Sequence, residues 1–200
     1  YRVRIALNLK HLEYGYLPVH LVRGEQRDPH YREINPQALV PTMVDDGNAL
    51  TQSMAIIEYL DETHPEPPLL PPTPEDRARV RAIAQAIACD IHPLNNLRVL
   101  RYLTGTLGIS DDAKDGWYRH WIEIGLAALE TELAADRRTG AFCHGASPSL
   151  ADICLVPQLA NARRYSMPLD AYPTLAGIES RCLALKEFKD AAPEVQPDAS

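Results

Sequence analysis

Apolar positions along this chain fall into two regimes. In Tyr1-Arg-Val-Arg-Ile-Ala-Leu-Asn-Leu-Lys10, the residues Val3, Ala6, Leu7 and Lys10 recur at helical spacing, and Ile5 and Leu9 widen the apolar face, so a helix is predicted. It has no N-cap and no starting Met, so the sequence is expected to begin inside an element with more of the protein upstream. Residues 14–21 are rich in aromatic and branched side chains and predict a strand, with Pro18 at an edge or bulge. A polar stretch over 23–35 predicts a loop or short helix. Thr42-Met-Val44 and Ala49-Leu-Thr51 then flank Asp45-Asp-Gly-Asn48, a hairpin signature. Residues 52–64 predict an amphipathic helix with Ile56, Ile57 and Leu60 on its apolar face and Ser53 as N-cap.

Residues 65–74 hold six prolines, which neither a helix nor a sheet can absorb, and predict a stiff linker. Beyond it the periodicity is helical throughout, over 75–107, 112–135, 149–165 and 175–189. A mixed α/β unit followed by an all-α unit means two domains: 1–66, a proline-rich linker over 67–74, and 75–200.

Composition narrows the function classes. No stretch approaches the roughly 18 consecutive apolar residues of a membrane-spanning helix. With 20 basic and 27 acidic residues the net charge is −7, the wrong sign for a general nucleic-acid binder. The four cysteines, Cys89, Cys143, Cys154 and Cys182, form no CxxC pair. Three of them, Cys89, Cys154 and Cys182, sit in apolar helical contexts. They read as buried reduced thiols in a cytoplasmic protein, with a disulfide or zinc site as the weaker alternative.

Six segments carry a family resemblance: Arg2-Val-Arg-Ile-Ala-Leu7, Asn35-Pro-Gln-Ala-Leu-Val-Pro41, Gln52-Ser-Met-Ala-Ile-Ile-Glu-Tyr-Leu60, Cys89-Asp-Ile-His-Pro-Leu-Asn-Asn96, Leu155-Val-Pro-Gln158 and Gln196-Pro-Asp198. In this order, over nearly the whole chain, they resemble the zeta class of the glutathione transferase superfamily. The resemblance implies a glutathione transferase fold, with a thioredoxin-like α/β N-terminal domain that binds glutathione and an all-α C-terminal domain that binds substrate. It also implies a Ser/Cys loop that activates the thiol, immediately before the position of Tyr1, and a first strand before that. The implied activity is a glutathione-dependent cis–trans isomerisation of a maleyl dicarboxylate, maleylacetoacetate to fumarylacetoacetate, in a cytoplasmic homodimer. Maleylpyruvate isomerisation, a glutathione transferase or dehalogenase reaction, and a non-catalytic binding protein are the alternatives.

The resemblance also assigns residues, each beside a plainer reading. Val40-Pro41 is a candidate cis peptide whose exposed Val40 backbone pairs with the cysteinyl backbone of glutathione; a trans turn is the alternative. Gln52 and Ser53 start a helix, where unpaired N–H groups attract the γ-glutamyl carboxylate; a simple N-cap is the plainer role for Ser53. Gln26 reaches the glycine carboxylate. His92 and Asn96, four apart on one helix face bent by Pro93, lie against glutathione or make a polar interhelical contact; no partner at ligand spacing supports a metal site. Arg98 and Arg164 bind the substrate carboxylates, for which a guanidinium fork is suited. Arg163 points about 100° away from Arg164 and reads as solvated. Ser149-Leu-Ala-Asp152 reads as a structural capping box and not a catalytic carboxylate, and Trp117 and Trp121 as core or interface.

Overall fold

The computed structural model describes residues 1–199, which divide into two compact units. The first comprises Tyr1–Pro68 and the tail from Glu187 onward. Its elements are α1 (Arg2–Leu9), α2 (Pro29–Ile34, preceded by a 3₁₀ turn over Glu25–Arg27), β1 (Thr42–Asp45), β2 (Asn48–Thr51) and α3 (Ser53–Thr63). β1 and β2 pair antiparallel, Thr42 opposite Thr51 and Asp45 opposite Asn48. The loop residues Asp46 and Gly47 both have positive φ, 45° and 79°, as a two-residue primed turn requires. α1 packs on α3 through Ile5, Ala6 and Leu7 against the face bearing Ile56, Ile57 and Leu60.

Lys10, just past α1, is buried, and its ammonium is fully matched. It donates at 2.6 Å each to Asp61 Oδ1, the His64 carbonyl and the Pro67 carbonyl. Three donors meeting three acceptors are what make a buried ammonium tolerable.

The expected strand over 14–21 is not found. A strand needs a hydrogen-bonded neighbour, and here Pro18 has no N–H. The His20 N–H goes to the Glu25 carboxylate, and the His20 carbonyl closes a turn with Gly24. Among the described residues the only sheet is the β1–β2 hairpin.

The second unit, Leu69–Lys186, is helical: α4 (Pro74–Gln85), α5 (Leu97–Gly105), α6 (Asp111–Ala135), α7 (Leu150–Arg164) and α8 (Pro173–Ala184). α7 is central. Every residue from Leu150 to Leu159 is buried, and it packs on α4 and α8. Its start carries the expected capping box. Asp152, fully buried, accepts from the Ser149 N–H, the Ser149 hydroxyl and the Cys143 N–H, each at 2.8 Å. Glu130 of α6 caps α8 from outside, its two oxygens accepting the Thr174 and Leu175 N–H groups at 3.0 Å.

Four expectations change. The helix expected over 75–107 is four pieces: α4, then a wider π-helical turn over Ala86–Ile91, a 3₁₀ turn over His92–Asn95, and α5. The helix expected over 175–189 breaks at the extended Leu185, before α9 (Lys186–Lys189). The linker ends at Pro68, because Leu69 and Leu70 are buried in the helical unit and the Leu69 carbonyl accepts the Leu150 N–H. Finally, the tail belongs to the first unit, not to the 75–200 domain. Arg4 donates to the Ala191 carbonyl and Asn8 to the Glu187 carbonyl, so α1's polar face holds it.

Candidate functional site

In the first unit, the motif Asn35-Pro-Gln-Ala-Leu-Val-Pro41 is a braced loop. Asn35, almost fully buried, donates from Nδ2 to the Leu39 carbonyl at 2.8 Å and to Thr42 Oγ1 at 3.0 Å, and its Oδ1 accepts the Gln37 N–H. Tyr31 adds a hydrogen bond to the same Leu39 carbonyl at 2.6 Å. The loop ends in the Val40–Pro41 peptide, which is cis. Val40 is exposed, and neither its N–H nor its C=O has a partner among the described residues.

Ser53 is not the N-cap of α3. That position belongs to Gln52, at φ 69°, and no side chain caps this end. Gln52 instead donates from Nε2 to Gln37 Oε1 at 2.9 Å, tying α3 to the Asn35 loop. Ser53 is the first helical residue, and its hydroxyl accepts from Arg2 Nη1 at 3.4 Å. The first turn of α3 has no acidic residue. A helix start is already electropositive, and here a guanidinium stands beside it where an acid would ordinarily be. Gln26 is buried on its 3₁₀ turn, and its Oε1 accepts no hydrogen bond.

In the second unit, Pro93 lies in the 3₁₀ turn, and the chain restarts as α5 with Asn96 as N-cap, its Oδ1 accepting the Arg98 N–H at 3.1 Å. His92 and Asn96 therefore do not share one helix face. Asn96 is extended, at φ −65° and ψ 144°, between two helical segments. Arg98 is exposed in the first turn of α5, and Arg164 is exposed at the end of α7. Neither guanidinium has a carboxylate partner within the unit. Arg163 is not simply solvated: both of its Nη atoms donate to Glu179, a carboxylate 2% exposed that would otherwise be a buried unpaired charge.

The two arginine-bearing segments converge on α6. Trp117 Nε1 donates to the Leu94 carbonyl at 2.9 Å, and Asn95 Nδ2 to the Tyr118 carbonyl at 3.1 Å. On its other side the Tyr118 ring lies face to face with Tyr165, the residue after Arg164, with centroids 3.5 Å apart. Burial pushes the Tyr118 phenol up to about 12, with the neighbouring Tyr165 adding to the shift and Arg164 opposing it. Trp117 and Trp121 are half-buried and edge-to-face at 5.5 Å. Tyr118, Tyr165 and Asn95 were not identified from sequence. The available signal was Tyr118 itself, the one residue with a polar tip in the buried α6 row Tyr118, Ile122, Leu126, Leu129, Leu133.

None of the four cysteines is in a disulfide. Cys143, Cys154 and Cys182 are buried as expected, but Cys89 is exposed on the π-helical turn. Burial holds the Cys143 and Cys182 thiols well above their ordinary range, with Asp152 adding to the effect, so neither is a thiolate nucleophile. Among the described residues no three His, Cys, Asp or Glu side chains group to hold a metal.

Comparison with known proteins gives these parts a context. The glutathione S-transferase N-terminal domain family matches residues 1–68, ending where the first unit's leading segment ends, and the C-terminal domain family matches 117–192. The chain is 51% identical to a probable maleylacetoacetate isomerase of Vibrio cholerae, aligning 100% of this chain with 93% of that protein. It is 44% identical to a maleylpyruvate isomerase of Ralstonia, over 100% of this chain and 94% of the relative. Among solved structures it is similar to the holo form of a bacterial zeta-class maleylpyruvate isomerase, at TM-score 0.97 and 45% identity, covering 100% of this chain and 94% of that one. It is equally similar, at TM-score 0.97 and 42% identity with the same coverage, to a maleylacetoacetate isomerase from Methylobacterium extorquens with bound malonate and glutathione.

Proposed function

The chain belongs to the glutathione S-transferase family, in its zeta class, and on that premise we propose that it is a glutathione-dependent cis–trans isomerase of a maleyl dicarboxylate, maleylacetoacetate or maleylpyruvate. The observation that carries the reading is the pair of exposed guanidiniums, Arg98 and Arg164, which have no carboxylate partner among the described residues and stand on two segments that meet α6 at the adjacent residues Trp117 and Tyr118. A substrate with two carboxylates supplies what they lack, and a guanidinium binds a carboxylate bidentately.

The first unit suits glutathione. The unpaired N–H and C=O of Val40 offer a peptide-like ligand an edge to extend as a strand. The start of α3, with Ser53 and the adjacent Arg2, offers positive charge and donors to the γ-glutamyl carboxylate. Gln52 is held to Gln37 beside this edge, and Gln26 lies within the same unit, where its Nε2 would be the group to donate to the glycine carboxylate. When bound, glutathione supplies the thiol nucleophile whose reversible addition turns the substrate's double bond into a rotatable single bond. The protein's own task is then electrostatic. Arg98 and Arg164 orient the dicarboxylate and stabilise negative charge developing on it. Asn96, with Oδ1 committed to the α5 cap, has Nδ2 to offer a ligand.

We further propose a homodimer with two-fold symmetry, the commonest oligomer, which would cover exposed apolar side chains such as Val44 on β1 and Tyr102 and Ile124 on the helical unit. Four cysteines with no disulfide among them fit a reducing, cytoplasmic location. No helix among the described residues is long and apolar enough to cross a membrane.

The test is calorimetric titration of the glutathione-saturated protein with maleate. Binding of maleate should be saturable, and Arg164→Ala should weaken it by about tenfold or more while leaving glutathione affinity unchanged. Equal maleate affinity in wild type and variant would remove the arginine from the site.

A further inference from the structure

Accepting Arg98 and Arg164 as the carboxylate-binding pair, we infer that Tyr118 is a positioning residue that fixes the separation of the two guanidiniums and so sets the dicarboxylate length the enzyme accepts. Arg98 and Arg164 are carried by segments with no backbone continuity, the start of α5 and the end of α7. Each is a helix terminus, the part of a helix most prone to fray.

Tyr118 joins them by two contacts of different kinds. Its carbonyl accepts Asn95 Nδ2 at 3.1 Å, and Asn95 directly precedes Asn96, whose Oδ1 holds the Arg98 N–H. Its ring covers that of Tyr165 at 3.5 Å with the planes 10° apart, and Tyr165 directly follows Arg164. The path from Arg98 through Asn96, Asn95, Tyr118 and Tyr165 to Arg164 contains no exposed intermediate and lies wholly within one compact unit. The ring contact is the part of this path that the Tyr118 side chain controls.

Tyr165 needs that contact. It is the C-cap of α7, and the next residue, Ser166, turns the chain away at φ 55°. Arg163 ties the same turn to Glu179 and the Met167 N–H closes on the Ala162 carbonyl, so loss of the ring contact loosens Tyr165 and the Arg164 beside it while the turn stays formed. The Tyr118 hydroxyl makes no hydrogen bond among the described residues, so the ring and not the hydroxyl does the positioning.

A dicarboxylate of matched length engages both guanidiniums, and a shorter or longer one engages only one of them well. Loosening Arg164 should weaken the matched ligand most and the mismatched ligands least, so that selectivity flattens. A role in stability alone would scale all ligands equally, through the folded fraction.

The experiment measures inhibition of isomerisation by malonate, succinate and glutarate at saturating glutathione. The proteins are wild type, Tyr118→Leu, Tyr118→Phe and Tyr165→Leu, with circular dichroism as the check on folding. Tyr118→Leu should reduce the best-to-worst inhibition ratio at least fivefold and raise substrate KM, with glutathione KM unchanged. Tyr118→Phe should restore both. Tyr165→Leu removes the other half of the stack at a more exposed position; it should reproduce the flattening even if Tyr118→Leu fails to fold. If wild type is inhibited selectively and folded Tyr118→Leu or Tyr165→Leu keeps the full ratio, this inference alone is overturned. If wild type neither isomerises the substrate nor responds to any dicarboxylate, the reading of the arginines falls, and this inference with it.

Discussion

Arg79 and Asp136 form an ion pair that fastens α4 to the end of α6: Arg79 Nε donates to Asp136 Oδ2 at 2.7 Å, with the Arg79 side chain almost out of water. Arg79 also donates to the Cys143 carbonyl and the Thr139 hydroxyl, and Arg138 closes on the same carboxylate from its exposed side. Arg138 first, and then Arg79, hold the Asp136 carboxyl well below the usual carboxylate range. A carboxyl with a lowered folded-state pKa contributes stability that is complete above the ordinary Asp value of about 3.9 and is lost as pH falls towards the folded value. Asp136→Asn should therefore melt below wild type at pH 7, and the gap should close as pH is taken below about 4. A gap that stays constant from pH 7 to 3 would mean the pairing does not contribute in this way.

Asp152 is structural, and its removal should say so. Asp152→Ala strands the Ser149 and Cys143 N–H groups in the core, and a buried unsatisfied group costs on the order of 1–3 kcal/mol. A loss of about 3 kcal/mol in chemical denaturation is expected. The remaining folded enzyme should keep its kcat; a collapse in kcat at full folding would point to chemistry at this carboxylate.

Ser53→Ala and Arg2→Ala should both weaken glutathione binding, Ser53→Ala by about tenfold, the low end for a hydrogen bond to a charged group. Because Gln52 and not Ser53 occupies the N-cap, Ser53→Ala should cost less than about 0.5 kcal/mol of stability. Calorimetry and thermal melts on the same samples check both halves. A large stability loss with unchanged affinity would reverse the assignment.

Arg164→Ala should lower kcat/KM on the maleyl substrate by about 10- to 150-fold, the kinetic equivalent of roughly 1.5–3 kcal/mol. Arg164→Lys should recover only part of this, because an ammonium lacks the planar fork. Arg98→Ala should act in the same direction, and steady-state kinetics at saturating glutathione reads all three.

What the sequence disclosed was local. The hairpin was visible because Asp46 and Gly47 suit positive φ, α3 because Ile56, Ile57 and Leu60 recur at helical spacing, and the capping box because its partners are three residues apart. What it withheld depends on distant partners or on hydrogen-bond register. The π-helical turn over Ala86–Ile91 has the composition of an ordinary helix; only the wider i→i+5 register, invisible in residue types, exposes Cys89. Pro93 signalled a bend, but only the restart at α5 makes Asn96 a cap. The tail's return to α1 rests on Arg4 and Asn8 meeting backbone carbonyls, which any sequence there could supply. Arg98 and Arg164 could be picked out through the resemblance, whereas the Tyr118–Tyr165 stack that relates them joins two helices far apart in the chain.

The most direct measurement of the central claim follows a maleyl dicarboxylate, maleylpyruvate or maleylacetoacetate, to completion with the purified enzyme and a substoichiometric amount of glutathione, assaying the trans product and free thiol together. The account predicts no enzyme-catalysed conversion without glutathione, full conversion with it, and the same free thiol at the end as at the start. Consumption of one thiol per substrate, or no conversion at any glutathione concentration, would contradict it.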